Sequence, residues 1–189
     1  MRHILIILSI FLFSFIYISC SKSSDDGSKS TDNTTTSHWT KQLGTTSSDY
    51  GYSVTTDSSG NIYVTGYTYG DLDGNTSSGG QDIFLVKYNS SGTKQWTKQL
   101  GYYSEQGTGV TTDSSGNVYV TGYTGGGLDG NTNLGKEDII LVKYNSSGTK
   151  QWTKQLGTSS SDGGSGVTTD SSGNVKLQMI LGGKIENEK

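Results

Sequence analysis

The chain of 189 residues has no proline, a single cysteine and two histidines, one of them at position 3. One cysteine excludes an internal disulfide framework and any cysteine-rich metal site. So little histidine leaves almost no parts for a catalytic triad or a histidine metal centre. Charged residues make up only 16%, with a net charge of -3, so there is no basic stripe for nucleic acid. Nor is there a polybasic segment for anionic lipid beyond the short positive start. Alanine and leucine are scarce, which argues against a helical core. What fills the chain is 28 Gly and 12 Tyr, with abundant Ser, Thr and Asn. Tyr, Thr and Val favour strands, and Gly, Asn, Asp and Ser favour turns. The composition therefore points to many short strands joined by tight turns.

The N-terminus has a different character. Met1, Arg2 and His3 precede a run from Ile4 to Ile18 that is apolar except for Ser9 and Ser14. The run has the length of a signal-peptide core and falls short of the roughly 20 residues of a spanning helix. It stops at Ser19-Cys20, which resembles the lipobox of bacterial lipoproteins. Tyr17 stands where Leu is usual at the third position before the cysteine. The resemblance implies lipidation at Cys20 and removal of residues 1–19. A plain signal peptide, or a short anchor with an incidental cysteine, is the other reading. Residues 20–37 hold the cysteine and a Ser/Thr-rich stretch from Ser21 to Ser37 without an apolar residue, which reads as a flexible tether. Ser21 stands where Asp would resemble an inner-membrane retention signal, so the expected location is the outer membrane or cell surface.

Internal repetition dominates the remainder. Trp39-Thr-Lys-Gln-Leu-Gly44 returns at Trp96 and Trp152, at spacings of 57 and 56 residues. Val54-Thr-Thr-Asp57-Ser-Ser-Gly60-Asn61 returns from Val110 and Val167, and Tyr63-Val-Thr-Gly-Tyr-Thr68 from Tyr119. Each unit reads as four strands: Gly51 to Thr56, Ile62 to Thr68, Asp82 to Tyr88 and Thr93 to Leu100. Asp57–Asn61 and Asn89–Gly92 form the tight turns, with Gly60 and Gly116 free to take positive φ. A longer loop spans Tyr69 to Gln81. Ile83-Phe84-Leu85-Val86 is apolar on both faces, as suits a sheet packed between two neighbours.

The pattern Val-x-x-Asp-x-x-Gly-Asn-Ile/Val-Tyr-Val-Thr-Gly-Tyr-Thr, followed by Asp-Ile-x-Leu-Val-Lys-Tyr-Asn-x-x-Gly and a Trp strand, resembles the bacterial beta-propeller repeat called SBBP. The resemblance covers about Trp39 to Val175. It implies an all-β propeller of four-stranded antiparallel blades, with the Val-Thr-Thr-Asp strand at the centre and the Trp strand outermost. It carries no catalytic residues. The expected units are 50–100, 107–156 and a partial 163–175, within a repeat region of 38–175. Closed propellers have about four to eight blades, so two complete units plus partial ones make an incomplete ring. Open blade edges invite self-association. Residues 176–189 depart from the repeat abruptly after Val175. A frameshifted remnant and a genuine capping strand are the two readings of that tail.

Several residues invite chemical interpretation. Asp71, Asp73 and Asn75 alternate before and after Gly74 like the start of a calcium loop. The second unit has Gly127 in place of the first acid, and no Glu follows at EF-hand spacing, so an ordinary Asp-Gly turn competes with calcium. Asp57, Asp113 and Asp170 recur as a ring of carboxylates would, but each precedes Ser-Ser-Gly-Asn, where Asp caps a turn. Trp39, Trp96 and Trp152 read as packing anchors. Tyr67-Thr68-Tyr69 and Tyr123-Thr124 fit either strand packing or a carbohydrate or peptide surface. The expectation is a non-enzymatic, lipid-anchored scaffold or binding module, without a cofactor, for an unknown protein or carbohydrate ligand. A propeller-based hydrolase or lyase, or a truncated non-functional fragment, are the alternatives. Near-identical repeats disfavour an enzyme, because active sites need asymmetric residue sets.

Overall fold

The computed structural model describes residues 38–182. Ten strands form three antiparallel sheets in chain order. The first sheet contains β1 (Asp49–Thr56), β2 (Ile62–Thr68), β3 (Asp82–Tyr88) and β4 (Lys94–Leu100). The second contains β5 (Glu105–Thr112), β6 (Val118–Thr124), β7 (Asp138–Tyr144) and β8 (Lys150–Leu156). The third is a hairpin of β9 (Asp162–Thr169) and β10 (Val175–Leu181). Two complete blades and half of a third follow one another, and among the described residues the sheets do not close on each other.

Each first strand is inner and touches the first strand of the next blade. The Thr112 hydroxyl donates to the Thr56 carbonyl at 3.2 Å, and the Thr169 hydroxyl to the Thr112 carbonyl at 2.9 Å. This is the central placement that the family resemblance implies for the Val-Thr-Thr-Asp strand. All three inner strands carry a bulge at the equivalent place: Tyr52, Thr108 and Ser165 are left without a ladder partner. A bulge increases local twist and bends the strand.

Turn chemistry repeats as faithfully. Asp57 Oδ1 accepts from the backbone amides of Ser59 and Asn61, both at 2.9 Å, and Gly60 takes a φ of +76°. Asp113 with Gly116 and Asp170 with Gly173 build the same turn. Inside the blades, Gly66 and Gly122 have no room for a Cβ, which would run into the carbonyls of Tyr50 and Gln106.

The core lies between blades. One face of the first blade (Tyr63, Ile83, Leu85, with Trp96 and Leu100) packs on one face of the second (Val110, Val118, Val120, Ile140, Val142, Tyr144). The other face of the first blade buries Leu72, Phe84, Val86 and Tyr88, partly covered by Trp39 and Leu43. Here one expectation is corrected. The Trp39 segment, read from its repeated sequence as an outer strand like those at Trp96 and Trp152, forms none: among the described residues no strand pairs with it, and it rests on the blade instead. Two bounds also shift: the inner strand begins at Asp49, two residues earlier than its sequence pattern suggests, and the outer one at Lys94. Lys176 to Leu181, which leave the repeat, still form a strand against β9. Met179 there occupies the register position of Gly122, opposite Gly164.

Candidate functional site

The loops at one end of the blades collect the exposed aromatic residues. Tyr50 and Tyr67 are cross-strand partners, their rings stacked with centroids 5.0 Å apart. Tyr52, on the bulge, lies 5.7 Å from the Tyr67 ring, and Tyr69 meets it edge-on at 5.6 Å. Tyr67 is buried beneath the other three, which stay half exposed. Burial, together with the neighbouring Tyr52 hydroxyl and the adjacent Tyr50 and Tyr69, pushes the Tyr67 hydroxyl up to about 12. Burial, then Glu137 and to a lesser degree Tyr52 and Tyr69, raise the Tyr123 hydroxyl of the second blade.

A cleft of about 550 Å³ opens beside Tyr69, between the long loop of the first blade and the connection to the second. Tyr102 and Tyr103, on that connection, are 64% and 70% exposed. Gln81 joins the two walls. Its Nε2 donates to the Tyr69 hydroxyl at 2.7 Å, and its Oε1 accepts from Gln106 Nε2 at 3.2 Å. Its backbone carbonyl accepts from Glu105 N at 2.9 Å.

Carboxylates, four of them buried and Asp49 partly so, shape these loops. Glu105 accepts from the amides of Tyr102 (2.8 Å) and Tyr103 (3.2 Å) and from the Thr124 hydroxyl (2.7 Å). Asp49 and Asp162 hold the corresponding connections by accepting from Thr45 N and Thr158 N, both at 2.6 Å. Asp82 and Asp138 pin the long loops through the amides of Ser78 and Leu134, both at 2.9 Å. None of these five acids stood out in the sequence. Their signal was recurrence at the first residue of a strand.

The residues singled out from sequence fall mostly into structural roles. Burial acts to raise the Asp57 carboxyl, but hydrogen bonds from Asn61, Tyr63 and Ser59 outweigh it and hold the group below its ordinary value. Asp113 follows the same balance, and Asp170 is lowered chiefly by Asn174. Each turns its carboxylate into its own hairpin. Asp71, Asp73 and Asn75 each have a separate partner. Asp71 accepts from Ser77 N at 2.8 Å, Asp73 pairs with Lys94, and Asn75 donates to the Leu72 carbonyl at 2.8 Å. Among the described residues, no group of three or more His, Cys, Asp or Glu side chains comes together as metal ligands. Trp39, Trp96 and Trp152 pair with Tyr88, Tyr63 and Tyr119 at 6.0, 6.0 and 6.2 Å. Cys20 lies outside the described residues.

Sequence reading noticed Tyr67 and Tyr69 but missed Tyr50, Tyr52, Tyr102, Tyr103 and Gln81. The available signal was departure from the repeat: the second unit has Gln106, Thr108, Thr158, Ser159 and Glu137 at those places.

Comparison with known proteins agrees with this architecture. An uncharacterized WD repeat-containing protein of Acanthamoeba polyphaga mimivirus is 27% identical over 186 residues, covering 77% of this chain. The chain spans about 13% of that protein's length. The beta-propeller repeat model SBBP matches residues 38–73, 95–129 and 151–175, together just over half of the 189 residues. Each matched stretch starts at a Trp segment, an outer strand in the second and third, and runs into the following blade. The chain belongs to the SBBP beta-propeller repeat family.

Proposed function

We propose that the chain is an exported, lipid-anchored binding module without catalytic activity. It presents the tyrosine-rich loop end of its blades to a ligand and takes no cofactor. The observation that carries the binding role is that departures from repeat identity gather as exposed tyrosines around one cleft. The anchor rests on the apolar run ending at Ser19-Cys20 and on the polar tether after it. Two or three acyl chains, at roughly 0.8 kcal/mol per buried CH₂, hold a soluble domain on a membrane. Against an enzyme stand the scarcity of histidine and the duplicated character of the blades.

The test is phase partitioning and intact mass. Wild type should enter the detergent phase with the mass of acyl chains on a chain beginning at Cys20, and Cys20→Ala should remain aqueous. A hydrolase and lyase screen of the protein should give no turnover. Absence of acyl mass removes the anchor; turnover removes the binding-module reading.

A second association is supported by one contrast. Val54 is 65% exposed, whereas its counterpart Val110 is 6% exposed beneath the preceding blade. Beside the patch that Trp39 and Leu43 partly cover, the first blade thus offers a second copy of this chain an exposed Val54 whose counterpart in the second blade is buried.

A further inference from the structure

We propose that the cleft between Tyr69 and Tyr102–Tyr103 binds a neutral polysaccharide chain, which rests on the binding-module reading above. The duplicated units act as an internal control. Three corresponding connections lead into the inner strands: Gly44-Thr-Thr-Ser-Ser-Asp49, Gly157-Thr-Ser-Ser-Ser-Asp162 and, one residue shorter and ending on Glu, Gly101-Tyr-Tyr-Ser-Glu105. All three close by the same device, a carboxylate accepting from the amide after the glycine. Two of them do so with Thr and Ser where the third has Tyr102 and Tyr103. Closing the connection therefore does not require these two rings; each covers a glycine of the second blade, Tyr102 over Gly126 and Tyr103 over Gly125, yet leaves most of its apolar surface in water.

The surroundings are adapted to them. The Tyr103 ring rests against Gly125, with its Cδ1 3.3 Å from where a Cβ would be, and Gly125 is the counterpart of Tyr69. The second blade has thus given up a tyrosine where the first blade's connection brings one in. Tyr69 rises from the opposite wall, and Gln81 fixes its hydroxyl from the floor.

The chemistry of the lining selects the ligand. Tyrosines, serines, two glycines and Gln81 line the cleft, and no charged side chain does. A phosphate, an acidic peptide or a cationic one would have no counter-charge there. Flat rings offer apolar faces to the C–H faces of pyranose rings. Hydroxyls and a side-chain amide supply donors and acceptors, which a sugar hydroxyl uses in both senses. Gly79 and Gly80, at φ of +96° and +68°, bring backbone close to the cleft without side chains. The volume lies within the range of small-ligand sites, about 300–1,000 Å³, and the open shape suits a chain passing through.

The experiment is affinity electrophoresis of the full chain in detergent, through gels containing laminarin, xylan, galactomannan or arabinogalactan. Retardation in at least one gel is expected. Tyr102→Thr/Tyr103→Ser, which installs the residues of the third connection, should weaken it at least about tenfold. Its melting temperature should stay within a few degrees of wild type, since the backbone amides of residues 102 and 103, not their side chains, close the turn on Glu105. No retardation in any of the four gels overturns the proposal, as does equal retardation of the variant. Binding of a proline-rich peptide library, sensitive to the same variant, would also overturn it while leaving the binding-module reading intact. Failure of that broader reading shows separately, as turnover in the enzyme screen.

Discussion

The indole of Trp96, on the outer strand of the first blade, lies over Gly148 in the last hairpin of the second. A Cβ at Gly148 would come within 2.9 Å of the ring, and Gly148 also has a φ of +79°. The outermost contact between blades thus depends on one large residue and one absent side chain.

Trp96→Ala should therefore lower stability by about 3 kcal/mol, the low end for truncating a core aromatic because the residue is only partly buried. Gly148→Ala should cost about 1–3 kcal/mol from overpacking on top of its backbone strain. Trp152→Ala should cost less, since no described hairpin covers its ring. Urea melts of the three variants check the order, and a Trp96→Ala melt equal to wild type refutes the anchor role.

Acid should weaken the blades through their turns. The carboxyls of Asp57, Asp113 and Asp170 lie below their ordinary value in the folded chain. Their stabilising effect is complete above the unfolded carboxylate value, near 4, and is lost as pH falls through the folded values. Asp113→Ala should cost about 1–3 kcal/mol at pH 7, with a markedly smaller difference from wild type at pH 2. Thermal melts across that range supply the comparison; a difference independent of pH would contradict it.

Calcium should not stabilise the long loop of the first blade, because Asp73 is already paired with Lys94 in a partly exposed site. Asp73→Asn should shift stability by less than about 1 kcal/mol, as exposed ion pairs do. Asparagine also tolerates the φ of +53° at this position. A clear rise in melting temperature on adding calcium, lost in Asp71→Asn/Asp73→Asn, would reverse this view.

Self-association should increase with concentration and fall when Val54 is replaced by Lys. Val54 is exposed on the open first blade, so its folding contribution there is small. Sedimentation velocity of both proteins is the measurement; a monomer at every concentration would exclude this contact.

Much of the fold was legible because the units repeat. Ile62–Thr68 and Asp82–Tyr88 were bounded correctly, since apolar runs between fixed turns leave little choice of register. The inner strand was read too short because Asp49 and Glu105 are polar and look like loop. Their backbones nonetheless pair with Thr68 and Thr124 while their side chains fold back on the connections. The Trp39 segment looked like a strand because its sequence is one in the other units; pairing, not local propensity, decides that. The tyrosine cleft was hard to read for a further reason. Tyr69 and Tyr102 belong to different connections, which meet through folded contacts such as those of Gln81 with Tyr69 and Glu105. The tail could be read as a departure from the repeat, with a capping strand as one of its two readings, and Leu177 and Leu181 give that strand a partly buried apolar side.

The matching registers of the first two blades have a genetic consequence. Every hydrogen-bond partner in one sheet has a counterpart about 56 residues later in the other. Unequal crossing-over between the two coding stretches would therefore remove or add a whole blade, and each new junction would meet a surface chemically like the one it replaced. Array length can change in single recombination steps without repacking the core. The tyrosine cleft lies at the seam between two particular blades, so it is the part of the molecule such an exchange would most readily erase.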